Sequence, residues 1–334
     1  MIEAINLYKN RVTNQKQIVT IFMLTHNREK YVKMAIDGVL SQTYSNFTLI
    51  ILDNCSTDNT KDVIHNIKDD RVIYIYRESK VGDSNSQFAF DNCMTKYMII
   101  LHDDDIVKNT YLEEILNVIE KNDYTAVSTS AELINENGEV IGHKTKRSGN
   151  FLFQNSDYLY ERISFKSGSI TMLFPSVIYR TEFFQRPIKF VDLSAGPAND
   201  QLLWFQAERY GAKLFFYNKE LMSYRVHTNQ DSRINADFMD LQLLDYLLKD
   251  EYYYNKLKEL NLDIPYRFLL YRFRNLCLRY NKKKIDKDLF SSFFNYTCVK
   301  HMRASTKGMI LYLTMRIIWY TRGLSTPIIS ILGK

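Results

Sequence analysis

Short apolar runs and amphipathic segments alternate along the first 120 residues of the chain. Apolar runs rich in β-branched and aromatic residues each predict a buried strand, and they occupy residues 18–24, 47–52, 72–76 and 97–101. Apolar residues at helical spacing predict helices at residues 29–41, 59–67, 85–94 and 111–120. This alternation predicts an α/β fold in which helices cover both faces of a parallel sheet.

The pattern is mixed in the middle of the chain and becomes helical towards its end. Short strands are predicted at residues 126–134, 176–179 and 213–216, and a helix is predicted at residues 200–209. Beyond about residue 235, helical spacing recurs at residues 241–260, 267–280, 289–299 and 309–320. The sequence therefore predicts an α/β domain over residues 1–234 and a helical C-terminal region over residues 235–334.

Composition indicates a folded protein in a reducing compartment. The 334 residues are 46% hydrophobic and 25% charged, and the four cysteines are too widely spaced for a zinc ribbon or a disulfide framework. The first 17 residues are polar and lack the apolar core of a secretory signal. No uncharged run reaches the roughly 18 residues that a membrane-spanning helix needs. We therefore expect a cytoplasmic protein with free thiols.

Positive charge is concentrated near the end of the chain. Residues 266–334 contain 14 Lys or Arg against two Asp, a net charge of +12, which leaves −6 for the preceding residues out of a total of +6. Aromatic residues are interspersed with these basic residues, which favours contact with an anionic membrane surface. The alternative is a helical subdomain with a solvated basic face. A nucleic-acid partner is not expected, because no known binding module is present.

Three consecutive carboxylates, Asp103, Asp104 and Asp105, follow the fourth predicted strand. Crowded like charges repel, so such a cluster is costly unless a cation neutralises it. Oxygen ligands suit Mg²⁺ or Mn²⁺, and these ions often bridge the phosphates of a substrate. The alternative is a solvated acidic turn that caps the next helix.

Polar residues also follow the first two strands. Ligands of parallel sheets bind at the carboxyl ends of the strands, and Thr25, Asn27 and Asp53 fall there together with the three carboxylates. This convergence favours an active site. For Asp53, a helix-capping network with Ser56 and Asp58 remains the alternative. The glycine motifs of nicotinamide-dinucleotide sites and of P-loop ATPases are missing from the sequence, which disfavours both classes.

The order of several motifs resembles family 2 glycosyltransferases, which are inverting enzymes with the GT-A fold. The matching segments are Thr25-His26-Asn27-Arg28-Glu29, Asp53-Asn54-Cys55-Ser56-Thr57-Asp58, Asp103-Asp104-Asp105, Asn199-Asp200 and Tyr224-Arg225-Val226-His227. Together they lie between residues 18 and 232. The resemblance implies a GT-A-like nucleotide-binding sheet flanked by helices, followed here by a helical C-terminal region. His102 stands where the family often has an additional Asp.

The resemblance also implies roles for individual residues. The residues implied to bind the nucleotide are Thr25, Asn27, Arg28, Asp53 and Asp103. Asp104, Asp105 and His227 are implied to hold Mn²⁺ or Mg²⁺ on the donor diphosphate. Asp200 is implied to be the general base that deprotonates the acceptor hydroxyl.

The activity that follows is metal-dependent, inverting transfer of a hexosyl or N-acetylhexosaminyl group from a nucleotide sugar, with UDP as the expected nucleotide. The expected acceptor is a glycan or a lipid-linked glycan in bacterial surface polysaccharide synthesis, at the inner face of the cell membrane if the basic region binds lipid. The sequence also permits an oligomer. Two alternatives remain open at this point, namely a nucleotidyltransferase that makes sugar nucleotides and an inactive glycan-binding homologue.

Overall fold

The computed structural model describes residues 2–78, 84–164, 170–185, 199–227, 236–262, 266–281, 292–296, 299–300 and 302–320. The strands are β1 (Val19–Thr25), β2 (Phe47–Asp53), β3 (Val72–Tyr76), β4 (Tyr97–His102), β5 (Ile106–Val107), β6 (Ala126–Ile134), β7 (Val140–His143), β8 (Phe151–Phe153), β9 (Val177–Arg180) and β10 (Leu214–Arg225). The helices are α1 (Ile2–Gln15), α2 (Val32–Leu40), α3 (Thr60–His65), α4 (Ser84–Asn92), α5 (Tyr111–Glu120), α6 (Asp157–Ile163), α7 (Thr181–Phe184), α8 (Asn199–Arg209), α9 (Ala236–Lys249), α10 (Glu251–Glu259), α11 (Tyr266–Asn281) and α12 (Thr306–Tyr320). Short 3₁₀ turns occupy Phe174–Ser176, Phe293–Asn295 and Met302–Ala304.

The chain divides into two compact units. The first comprises residues 1–155, 170–191 and 203–228, and the second comprises residues 156–169, 192–202 and 229–334. The first unit therefore contains the whole sheet. The domain boundary predicted between residues 234 and 235 lies outside the described residues.

The ten strands form one sheet in the order β3-β2-β1-β4-β9-β6-β10-β5, with β7 paired to β6 and β8 paired to β10. The first four strands in this order are parallel, as their alternation with helices predicts. Strand β9 then runs antiparallel to both β4 and β6, and β6 runs parallel to β10. The α/β class is confirmed, but the sheet is mixed rather than parallel throughout.

The pairing register brings the ends of the parallel strands level with each other. Thr25 at the end of β1 pairs with Asp53 at the end of β2. Leu24 pairs with His102, the last residue of β4. The acidic turn after β4 therefore begins beside the loops that follow β1 and β2, because the carboxyl ends of parallel strands meet at one edge.

The core explains why β1 is apolar along most of its length. Residues 19, 21 and 23 of β1 belong to a buried cluster that includes Ile36 of α2 and Ile115 of α5. The intervening Phe22 is also completely buried. Strands that are buried on both faces lack the apolar–polar alternation of half-exposed strands.

The second unit is helical in its C-terminal part. Helix α9 packs on α10 and α11, and α12 packs on α11. The single helix predicted over residues 241–260 is divided at Asp250, because the Asp250 carboxylate caps α10 by accepting the backbone N–H of Tyr253 at 3.1 Å. Of the helix predicted at residues 289–299, the described residues form the 3₁₀ turn Phe293–Asn295 and a helical end at residues 299–300.

Two further expectations concern thiols and membranes. Cys55, Cys93 and Cys277 are free thiols, as predicted, and Cys298 lies outside the described residues. Among the helices that the structure describes, none is both long enough and apolar enough to cross a bilayer.

Candidate active site

The acidic turn between β4 and β5 is buried, and Asp103 is its first carboxylate. Its Oδ2 accepts the backbone N–H of His26 at 3.2 Å, and its Oδ1 lies 3.5 Å from Nε of Arg28. Burial, followed by the negative charge of Asp104, raises the pKa of Asp103 to about 7, although Thr25 and Arg28 oppose this rise. Asp103 therefore interacts with three other predicted site residues, namely Asp104, Thr25 and Arg28.

Arg225, the last residue of β10, holds the other end of the acidic turn. Its backbone N–H donates to Oδ1 of Asp105 at 2.8 Å, and its Nε donates to the carbonyl oxygen of Asp104 at 2.8 Å. Its Nη1 donates to the carbonyl oxygens of Asn135 and Glu136. Burial raises the pKa of Asp105 well above its usual range, with the charge of Asp104 as the next cause, and the charge of Arg225 opposes the rise.

Arg225 was part of a recognised motif, but the sequence assigned it no role. Its side chain is 1% exposed, and its guanidinium lies 4.8 Å from the centre of the Tyr31 ring. A buried cation among carbonyl oxygens and carboxylates both fixes the turn and balances part of its charge. Because β10 reaches this turn only through the sheet, neither motif spacing nor periodicity could reveal the contact.

We expect Arg225→Met to lower the free energy of unfolding by about 3–5 kcal/mol, because it leaves the buried acids and carbonyl oxygens without their cationic partner. Chemical denaturation measures this loss. The matched control is Lys213→Met, which breaks an ion pair with the exposed Asp123 and should cost less than about 1 kcal/mol. Equal stability of the two variants would contradict the role given to Arg225.

His227 and His102 approach the acidic turn through different atoms. Nε2 of the buried His227 lies 2.9 Å from Oδ2 of Asp104. Nδ1 of His102 lies 3.9 Å from Oδ2 of Asp105, and the His102 ring lies 6.0 Å from that of Phe174. His102, Asp104 and Asp105 each have a ligand atom that lies within 4.8 Å of a ligand atom of the other two.

This cluster fits a divalent cation. It offers two buried carboxylates and an imidazole nitrogen, and Oδ2 of Asp105 has no hydrogen-bond partner among the described residues. A buried carboxylate oxygen without a donor is costly, and a bound cation would satisfy it. The sequence predicted Asp104 and Asp105 as ligands, but it treated His102 only as a departure from the motif.

The loops after β1 and β2 form one hydrogen-bonded platform. The buried Asp53 accepts the backbone N–H of Ser56 on Oδ1 and the hydroxyl of Tyr74 on Oδ2, both at 2.8 Å. Asn27 has a left-handed backbone, with φ +53°, and its Oδ1 accepts the backbone N–H of Thr57 at 2.8 Å. The bond from Ser56 to Asp53 lies in the loop before α3 and does not cap that helix, whose N-cap residue Asn59 makes no side-chain capping bond.

This platform also fixes the segment that carries Arg28. The backbone N–H of Arg28 donates to Oγ1 of Thr60 at 2.8 Å, and the backbone N–H of Asn54 donates to the carbonyl oxygen of Thr25 at 2.8 Å. The structure thereby brings together the five residues predicted to bind the nucleotide. Tyr74, which holds the Asp53 carboxylate, was not identified from the sequence because it appeared only as an apolar position of β3.

Asp200 lies in the second unit, whereas the other predicted site residues belong to the first. It is the second residue of α8, and its two carboxylate oxygens accept the backbone and side-chain N–H groups of Gln201 at 2.8 and 3.0 Å. Oε1 of Gln201 accepts in turn from the Tyr158 hydroxyl and from Nε of Arg162. Gln201 therefore orients Asp200, and Gln201 is itself hydrogen-bonded to two residues of α6.

Comparison with known proteins gives concordant results. Residues 20–181 match Glycosyl transferase family 2. An uncharacterized glycosyltransferase of Haemophilus influenzae is 29% identical over 229 residues, which are 65% of this chain and 68% of the relative. The O-antigen biosynthesis glycosyltransferase WbnJ of Escherichia coli is 34% identical over 128 residues, which are 37% of this chain and 50% of the relative.

Solved structures show the same fold. The crystal structure of residues 1–349 of S. aureus TarS in complex with UDP-GlcNAc superimposes with a TM-score of 0.63 at 15% identity, over 91% of each chain. The mannosyltransferase PcManGT from Pyrobaculum calidifontis, in complex with GDP-Man and Mn²⁺, gives a TM-score of 0.56 at 12% identity, over 97% of this chain and 94% of that chain. These similarities confirm the fold class predicted from the motifs.

Proposed function

The chain belongs to glycosyltransferase family 2, and we propose on this premise that it transfers a sugar from a nucleotide-sugar donor to a hydroxyl group of a glycan or lipid-linked acceptor. The observation that carries the proposal is the cluster of buried acids where three parallel strands end. Asp103, Asp104 and Asp105 lie there beside Arg28 and His227, and this donor set suits a cation bound to a diphosphate.

The reaction is a single displacement at the anomeric carbon. The bond from the acceptor oxygen to the anomeric carbon forms, and the bond from that carbon to the diphosphate oxygen breaks. Asp200 takes the proton of the acceptor hydroxyl, and the nucleoside diphosphate leaves. A single displacement without a covalent enzyme intermediate inverts the configuration at the anomeric carbon.

The acidic turn would hold the divalent cation through Asp104 and Asp105, with His227 as a further predicted ligand. A bound Mn²⁺ or Mg²⁺ would supply neutralisation of the charge that grows on the leaving diphosphate. Arg225 keeps the turn in place through its bonds to Asp104 and Asp105. Arg28 partly balances the charge of Asp103.

The proposed nucleotide is UDP. Asp53 is fixed by Ser56 and Tyr74, and its carboxylate keeps acceptor capacity for an N–H group of the base, because each oxygen can accept more than one hydrogen bond. TarS, which has the same fold, was crystallised with UDP-GlcNAc, whereas PcManGT was crystallised with GDP-Man. Because the fold therefore serves either nucleotide, the choice of UDP depends on Asp53 and the platform around it.

Release of nucleotide tests this function directly. The protein is incubated with Mn²⁺ and a panel of UDP-sugars and GDP-mannose, and we expect release of UDP that EDTA abolishes. Release of GDP alone would contradict the choice of UDP. Pyrophosphate formation from UTP and a sugar phosphate, without UDP release, would instead favour a nucleotidyltransferase.

The proposed acceptor belongs to a bacterial surface polysaccharide. The E. coli relative WbnJ is named for O-antigen biosynthesis. A lipid-linked acceptor would lie at a membrane surface, and α12 presents a face suited to that surface. Ile310, Leu313 and Ile317 are 62, 51 and 62% exposed, and they form one stripe because they lie three and four residues apart.

The opposite face of α12 is packed against the rest of its unit. Gly308, Met315 and Ile318 are buried on this face. Lys307 is exposed near the apolar stripe, and the guanidinium of Arg316 lies over the ring of Phe294 at 4.7 Å. An apolar stripe with nearby basic residues favours an anionic bilayer. The predicted basic residues 282–284 and 322 lie outside the described residues.

We expect the triple variant Ile310→Ser, Leu313→Ser, Ile317→Ser to float with anionic phosphatidylglycerol vesicles about tenfold less than the wild type, because it loses the apolar area that would enter the bilayer. The control is Val140→Ser, Ile141→Ser, Leu152→Ser, which removes three other exposed apolar side chains. Equal flotation of the two variants, or no flotation of the wild type, would discard the membrane contact.

A further inference from the structure

We infer that His102 is a ligand of the catalytic cation and that it shifts the metal preference of this chain from Mg²⁺ towards Mn²⁺. The inference rests on the proposed function, because it concerns the same metal site. It goes beyond that function in naming a nitrogen donor at a position where the family motif often supplies a carboxylate.

The distances around His102 support coordination of a shared ion. Nδ1 of His102 lies 3.9 Å from Oδ2 of Asp105, which is too far for a hydrogen bond. Two ligand atoms that are each about 2.2 Å from one ion lie roughly 3 to 4.4 Å apart. The separation of the two atoms therefore falls in the range for two ligands of one cation.

The surroundings of these atoms agree with this role. Oδ2 of Asp105 is buried and has no hydrogen-bond donor in the described part of the chain. The His102 side chain is 40% exposed, and its ring lies against Phe174 at the end of β4. A partly exposed imidazole next to these carboxylates can present a nitrogen to an ion that arrives with a substrate.

The second histidine of the site makes a different contact. Nε2 of His227 lies 2.9 Å from Oδ2 of Asp104, at hydrogen-bond distance, and the His227 ring lies 5.7 Å from that of Tyr31. His102 and His227 thus approach different carboxylates of the acidic turn. Substitution of each histidine therefore removes a different contact of the turn.

Metal preference follows from the donor atoms. Mg²⁺ favours oxygen ligands and gives up its water reluctantly, whereas imidazole nitrogen suits transition metals. An imidazole ligand from His102 therefore favours Mn²⁺ over Mg²⁺. Reversion to a carboxylate, His102→Asp, is expected to lower the ratio of Mn²⁺ to Mg²⁺ affinity by about tenfold.

Pulsed electron paramagnetic resonance of Mn²⁺ bound to the full chain, with UDP present, tests the inference. We expect nitrogen-14 modulation from a coordinated imidazole in the wild type, and a decrease of this modulation in His102→Gln. We also expect His102→Gln to weaken Mn²⁺ binding by about tenfold or more in calorimetry. The control is His143→Gln, an exposed histidine on β7, which should change neither quantity.

The outcomes separate this inference from the proposed function. If wild-type protein binds Mn²⁺ but His102→Gln keeps its full nitrogen modulation and affinity, His102 is not a ligand, and the transferase proposal is unaffected. Loss of the modulation only in His227→Gln would overturn the inference in the same way. If the wild type binds no Mn²⁺ even with UDP, the metal-dependent function itself fails. Thermal unfolding of each variant verifies that it is folded.

Discussion

Replacement of Asp200 by asparagine is expected to lower sugar transfer by ~10²-fold or more while donor binding stays close to that of the wild type. The amide has nearly the shape of the carboxylate but cannot take the proton of the acceptor hydroxyl. Initial rates of transfer and donor binding by calorimetry measure the two effects separately. Full turnover in this variant would remove Asp200 from the role of general base.

The contacts of Asp200 make this variant a clean test. Its Oδ1 accepts the backbone N–H of Gln201, and an asparagine oxygen can do the same. The bond from the Gln201 side chain to Oδ2 of Asp200 is lost, at a cost of about 0.5–1.5 kcal/mol. The matched control is Asp157→Asn, an exposed acid in the first turn of α6, and we expect it to leave transfer unchanged.

Replacement of Asp104 by asparagine is expected to abolish Mn²⁺-dependent donor binding together with transfer, which should fall by at least ~10²-fold. Asp104 is the central carboxylate of the acidic turn, and it contacts His227 directly. Without its charge the site would lose much of its attraction for a cation, and the leaving diphosphate would lose its neutralisation. Calorimetry with Mn²⁺ and UDP, followed by a transfer assay, distinguishes this result from that of the Asp200 variant.

Unfolding should not explain the loss in the Asp104 variant. The charge of Asp104 is the second-largest cause of the raised pKa values of Asp103 and Asp105, so its removal relieves repulsion inside the turn. We therefore expect a melting temperature no lower than that of the wild type when no metal is present. The control Asp37→Asn changes an exposed acid of α2, and wild-type transfer in the Asp104 variant would contradict the metal role.

The local pattern of the chain predicted a large part of the architecture. Strands β3 and β6 and helix α5 have the predicted bounds, and β1, β2 and β4 end within one residue of prediction. Each of these elements could be predicted because its signal lies in residues that are neighbours along the chain. By contrast, α1 was missed, and β10 has 12 residues where four were predicted. The pairing of β10 with β6 shifts register between Tyr217 and Met222, and the apolar pattern of β10 is not continuous there.

For the candidate site, the sequence identified residues at the strand ends but not the residues that hold them. Asp53 and Asp103 could be identified because polar residues directly after apolar runs mark the binding edge of a parallel sheet. Tyr74 could not be identified, because its hydroxyl reaches Asp53 from an adjacent strand. The role of Asp200 as a base stays a prediction of the motif.

The sequence by itself determined the α/β alternation, the acids at the strand ends and the order of the family motifs. Each of these features depends on residues that are close along the chain. Only the tertiary structure decided that Arg225 binds a turn 120 residues earlier and that His102 faces Asp105. It also decided that β9 lies between β4 and β6. The physical reason is that pairing between distant strands depends on shape and hydrogen bonding across the whole sheet, which no local periodicity records.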